Sequence, residues 1–279
     1  MPQKVVRTVP AIHASAATEH WYRSELEGLV FEAHLELTRI ALEATAAARA
    51  LAPLPRASSG LAALATDADS TSKLDAQLKA WAKKWNIKFD KLSVTLASKF
   101  TSRAFRMTEA QMQSALKQAG FTVSFKPTRA SLAAYKATSA ENVQLIRSIP
   151  SQYLTGVQSA VWSSVRAGAD MATLSKRLQD EYGSTVKRAA LIARDQNNKA
   201  KATIETTRRL QLGITHAIWQ HSSGGKEPRP THVAMDGIAF ELKKGMYDSE
   251  EKAYVLPGQL INCRCTSRAI IPGFNDDET

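Results

Sequence analysis

At 279 residues the chain is long enough to bury one large core or two modest ones, and its 44% hydrophobic and 23% charged content is ordinary globular usage, which excludes wholesale disorder. Two cysteines, Cys263 and Cys265, stand one residue apart, which excludes a disulfide framework and points to a reducing compartment. The net charge of +11 is local: residues 51–200 hold 22 Lys/Arg against 10 Asp/Glu, the first 50 hold 5 against 6, and the last 79 hold 10 against 10.

The opening residues have no apolar run long enough for a secretory signal, and no segment approaches the roughly 20 apolar residues of a membrane span. A soluble protein with no membrane partner is expected. From about Ala17 to Leu51, Leu26, Leu29, Val30, Ala33, Leu37, Ile40 and Ala44 recur at three and four residues, with charged residues between them. That spacing predicts an amphipathic helix. Residues 52–70, rich in Pro, Ser, Gly and Ala, read as a linker. A second helical block runs from about Thr71 to Ala119 on Leu74, Leu78, Trp81, Trp85, Phe89, Leu92 and Leu96. Both tryptophans sit on that stripe, which favours core packing over stacking on nucleic-acid bases.

Gly120 ends the block, and Phe121–Phe125 alternates like a short strand. Helix in pieces follows to Leu212, punctuated by Pro150 and by a turn near Gly168 to Asp170. Ser184 is read as the N-cap of a last helix about 40 Å long, closed by Gly213. Beyond it the pattern changes to short strands and turns, at 216–222, 238–242, 254–256 and 264–271. No phosphate-binding loop, nucleophile elbow or His-Glu-x-x-His occurs, so no established catalytic motif is present and an enzyme is not expected. The fold class expected is α+β: long helices in the N-terminal and middle regions, then a small mixed α/β C-terminal domain of short strands.

The informative residues lie between 190 and 265: Arg194 in LIARD, Trp219, Arg229 and His232 in RPTH, Asp236-Gly237, then Asn262-Cys263-Arg264-Cys265. In an extended segment Cys263 and Cys265 face one side and Arg264 the other. Paired thiolates make half a zinc site, with His232 as a third ligand and His221 or Asp236 as a fourth. Buried packing thiols and redox chemistry are the alternatives. His232 and Asp236 would share a face of a helical turn, a pair that a hydrolase uses as base and orienter and that a loop core uses as a hydrogen bond. Arg229 and Arg264 suit pinning of loops or holding of phosphate. Trp219, on an alternating strand, reads as core.

In this order these residues resemble the Mu F-like head-morphogenesis family of tailed-phage minor head proteins, over roughly Phe121 to Pro272. The sequence departs from the family pattern at Arg194-Asp195-Gln196, where Thr-Glu is usual, and at Gly224 to Glu227, where an Asp commonly precedes the Arg. The resemblance implies a minor capsid protein of the virion, at the capsid interior or portal vertex and made in the host cytoplasm. Its implied partners are the portal protein and the major capsid or scaffolding protein. Double-stranded DNA is a further expected partner, in agreement with the basic middle segment. The implied organisation is a helical docking region at 1–120, a head-morphogenesis domain at 121–273 and a disordered acidic tail at 274–279. A metal-dependent or histidine-based hydrolase acting on nucleic acid or protein is the rival reading, and a DNA-binding accessory protein outside a virion is a third.

Overall fold

The computed structural model describes residues 8–51, 68–166, 171–223 and 227–271. In chain order these form β1 (Thr8–Val9), α1 (Ala16–Leu51), α2 (Ala68–Gln118), α3 (Arg129–Arg166), α4 (Met171–Gln211), β2 (His216–Gln220), α5 (Pro230–Ala234), β3 (Ala239–Glu241), β4 (Met246–Asp248), β5 (Ala253–Val255) and β6 (Thr266–Ile270). The fold is α+β. Among the described residues no helix is long and apolar enough to cross a membrane.

The chain divides into two compact units that interleave in sequence. One gathers the described residues of Met1–Tyr22, Ser98–Glu141 and Ala193–Thr279; the other gathers those of Arg23–Ala97 and Asn142–Ile192. Each long helix lends part of its length to each unit.

The second unit is all helix, and its core follows from the stripes of α1 and α2. Leu26, Val30, Ala33 and Leu37 are buried with Leu74, Leu78, Trp81, Trp85 and Phe89, and α3 adds Ile146, Ile149, Tyr153 and Val157. Trp81 Nε1 donates to the Ala33 carbonyl at 3.2 Å and Trp85 Nε1 to Glu36 Oε2 at 3.1 Å. Buried indoles need such acceptors, so both tryptophans are core residues with a satisfied polar edge. Leu29 and Leu92 fall at the edge of their stripes and are only partly covered.

Two expected helix breaks are absent. Pro150 lies inside α3, where it removes one backbone donor, yet Ile146, Ile149 and Tyr153 around it are buried and hold the helix together. Ser184 is interior to α4, whose apolar face already starts at Leu174 and Leu178. At 41 residues α4 is about 60 Å long. The linker at 52–70 and the turn at 168–170 lie largely outside the described residues, of which 68–70 are helical. The tail at 274–279 lies wholly outside them.

The first unit carries the sheet. β1, β6, β2 and β3 lie side by side in that order, all antiparallel, with Trp219 opposite Ser267 and Ala217 between Ala269 and Phe240. β4 and β5 form a separate hairpin. The sheet's inner residues pack with Met112, Ala115 and Leu116 of α2 and with Ile12 and Ile214. Residues 121–125 also lie against this core, but not as the expected strand. The Phe121 amide donates to the Leu116 carbonyl at 2.8 Å, and Gln113 Nε2 reaches the Val123 carbonyl at 3.3 Å. Two of the segment's backbone groups are thus bonded to α2, and it joins neither sheet.

Candidate metal centre

β2 delivers Trp219 to the middle of the sheet, fully buried, with its ring edge-on to Phe240 at 5.8 Å and to His232 at 5.1 Å. His232 comes from α5, a single turn begun by Pro230, whose missing N–H costs nothing at that position. The imidazole is 2% exposed. Its Nδ1 lies 3.5 Å from Cys263 Sγ and 3.6 Å from Cys265 Sγ, and the three donor atoms lie within 4.8 Å of one another. Its Nε2 faces Asp248 Oδ2 at 3.3 Å, off the line of a hydrogen bond.

Asp248 closes β4 and has no exposed surface. Burial alone would raise its pKa, but the Glu251 and Glu250 amides and the Thr231 hydroxyl donate to it at 3.3, 2.9 and 3.1 Å. Together with His232 they hold the carboxyl below its ordinary value, as a carboxylate. Gly245 (φ +78°) leads into β4 at the open end of the hairpin, where a Cβ would come within 2.5 Å of the Val255 carbonyl oxygen.

The cysteines sit in a turn and an extended segment ahead of β6, not in the strand itself. Cys263 and Cys265 are buried and Arg264 is exposed between them. Asn262 takes a left-handed backbone (φ +61°), a conformation Asn tolerates better than most residues. One face of α4 holds it there. Arg194 donates to Asn262 Oδ1 at 2.5 Å, Asp195 Oδ1 accepts the Asn262 amide at 2.9 Å, and Asn198 Nδ2 reaches the Cys263 carbonyl at 3.2 Å. Arg229 donates to the Ile261 carbonyl at 3.0 Å. These bonds set the direction in which both sulfurs point.

Each sulfur is met by N–H groups. The Gly258 amide donates to Cys263 Sγ at 3.3 Å. The Ser222 amide and the Trp219 indole both favour a thiolate at Cys265. A hydrogen bond between the two sulfurs draws the Cys263 thiol below its usual range and pushes Cys265 up.

Several expected partners go elsewhere. Among the described residues neither His221 nor Asp236 joins the three donors. α5 stops at Ala234, so Asp236 leaves the His232 face and accepts the His221 amide at 2.8 Å. His232 and Asp236 are therefore not paired as base and orienter. Gly237 (φ +76°) makes the turn that lets its amide reach the Trp219 carbonyl at 3.0 Å. Arg264, with Arg194, Lys201 and His13, lines a cleft beside Cys265. Asp248 and Asn198 were not singled out in the sequence, nor was a buried row on α4 in which Lys201 pairs with Glu205 at 2.6 Å and Arg209 pairs with the same carboxylate.

Residues 155–268 match the family described as phage Mu protein F-like protein, and the stretch takes in every donor of this centre and the α4 face that holds it. Over residues 155–268 the chain is similar to that family. A relative, an uncharacterized protein of Haemophilus influenzae, is 33% identical to the chain over 186 residues. The alignment covers 66% of this chain and 40% of the relative. No solved structure matches. Within the Mu F-like segment the departure at Asp195 has a clear use, since burial raises this carboxyl while the Asn262 amide and Arg194 stabilise its charge.

Proposed function

We propose that the chain is a minor head protein of a tailed phage, which assembles with the portal protein and the procapsid and stays in the virion, at the capsid interior or portal vertex. The observation that carries this reading is the Mu F-like match over 155–268, which spans the Cys/His centre and its supporting helix. Scaffolding or major capsid protein is the further partner. The long helical faces suit docking, and exposed Phe31, Leu35 and Leu42 on α1 offer apolar contacts for it.

A structural role agrees with the site. His232 is shut off from solvent, and Asp195 is committed to holding a turn, so neither is poised as a general base. Contact with the packaged double-stranded DNA is the second part of the proposal, and it rests on the charge surplus of residues 51–200. Part of that charge is internally used: Lys84 and Lys88 pair with Glu36 and Glu32, and Arg147 pairs with Asp90. Lys83 and Lys91 point outward on α2 and are the residues offered to phosphate.

Co-expression with the portal protein of the same phage tests the reading. The full chain is expected to co-elute with assembled portal on size exclusion and to survive dilution to about 1 μM, the range of a specific interface. Elution at the monomer position in the presence of excess portal would count against it.

A further inference from the structure

We propose that His232 Nδ1, Cys263 Sγ and Cys265 Sγ hold one zinc ion, with Asp248 behind the imidazole and water in the fourth position. This inference stands on the geometry of the centre and does not depend on the head-protein reading.

The distances fit a shared metal ion. Zinc bonds to thiolate at about 2.3 Å and to imidazole at about 2.05 Å, so a tetrahedral angle puts sulfur and nitrogen about 3.6 Å apart. The two observed separations are 3.5 and 3.6 Å. In a metal-free pair of thiols only one S–H can point along the single lone pair of Nδ1. Two sulfurs nearly equidistant from that atom match the placement of ligands around one ion.

The surroundings agree. The Asp248 carboxylate 3.3 Å from Nε2 favours a proton on that nitrogen by its charge, which leaves the Nδ1 lone pair free as a ligand. Asp248 is itself fixed by Thr231 and by two amides. N–H groups from Gly258, Ser222 and Trp219 face the sulfurs, and the Trp219 indole, fully buried, has no oxygen or nitrogen acceptor. A metal-bound thiolate would accept from it better than a thiol. Two thiolates also cancel the charge of a divalent ion, so the complex is neutral in a buried place. Soft sulfur donors disfavour magnesium and calcium.

Among the described residues no fourth His, Cys, Asp or Glu joins the group, which leaves the fourth bond to water. The three ligands are buried, and the ion acts as a clip. It joins α5 to the 257–265 segment, and through Asp248 to the β4–β5 hairpin.

Untagged full-length chain, purified without added metal, is expected to carry one zinc per chain by elemental analysis. Cys263→Ser, Cys265→Ser and His232→Gln should each lose it, while Asp248→Asn should keep it with affinity weakened about 10–100-fold. Chelation is expected to lower the thermal midpoint on the order of 10 °C. Cobalt(II) exchanged into the wild-type chain should give thiolate-to-cobalt charge-transfer bands and intense tetrahedral d–d bands, a readout that does not need the variants to fold. Cobalt spectra without thiolate bands would overturn the proposal. So would zinc retained by both serine variants, or a thermal midpoint that chelator leaves unmoved.

Discussion

Trp219→Ala is expected to lower unfolding stability by about 3–5 kcal/mol, the cost of emptying a large, fully enclosed aromatic site. The side chain has no exposed surface and packs on both Phe240 and His232. It therefore supports the sheet and the orientation of the imidazole together. Urea unfolding should show the loss as a lower midpoint with little change in slope. Trp219→Phe keeps most of the volume and should cost less than the alanine variant. An alanine variant within about 1 kcal/mol of the parent would show that the sheet interior is not the packed core described here.

Glu205→Ala should be comparably damaging for an electrostatic reason. Lys201, Glu205 and Arg209 follow one another at four-residue spacing on α4, and all three are at most 5% exposed. Burial lowers the pKa of both cations, and Glu205 opposes that shift. Arg209 has a second anchor, donating to Ser267 Oγ at 2.7 Å and to the Ser267 carbonyl at 2.9 Å, and so it ties α4 to β6. Without the carboxylate, two buried cations face each other, a loss of about 3–5 kcal/mol. Glu141→Ala provides the contrast. Its partner Lys199 lies at 3.0 Å in a far more exposed setting, and Gln196 Nε2 also donates to it at 3.0 Å, so the change should cost about 1 kcal/mol. Replacing Lys201, Glu205 and Arg209 together by Met, Leu and Met should recover part of the Glu205→Ala loss. Equal effects of Glu205→Ala and Glu141→Ala would contradict the account of this row.

The long helices were legible because burial on one face writes itself into spacing. Leu26, Val30, Ala33 and Leu37 face a core, and the sequence repeats accordingly. Helix interruptions were misread at Pro150 and Ser184 because local propensity favours a break where tertiary burial sustains the helix. β1 and β4, of two and three residues, are too short to show alternation, and their pairing is decided by partners far along the chain.

The centre was half legible. Cys263, Cys265 and His232 stood out because their chemistry is rare in this chain. Asp248 did not, because an acidic residue in a loop-rich stretch looks like surface. Only the β4–β5 hairpin brings it behind the imidazole. The buried ion row had a signal, the i, i+4 spacing of Lys201, Glu205 and Arg209, but the same spacing marks ordinary exposed helix pairs. Asp195 illustrates the converse. Asp195-Gln196 stands where a Thr-Glu pair was expected, and the role of Asp195 here is to hold the backbone of Asn262.

The composition of purified heads tests the central claim most directly. Procapsids and mature heads of the encoding phage, separated from the lysate and analysed by quantitative mass spectrometry, should contain this chain at a small fraction of the major capsid protein. A protein abundant in the lysate but missing from both kinds of particle would contradict the account.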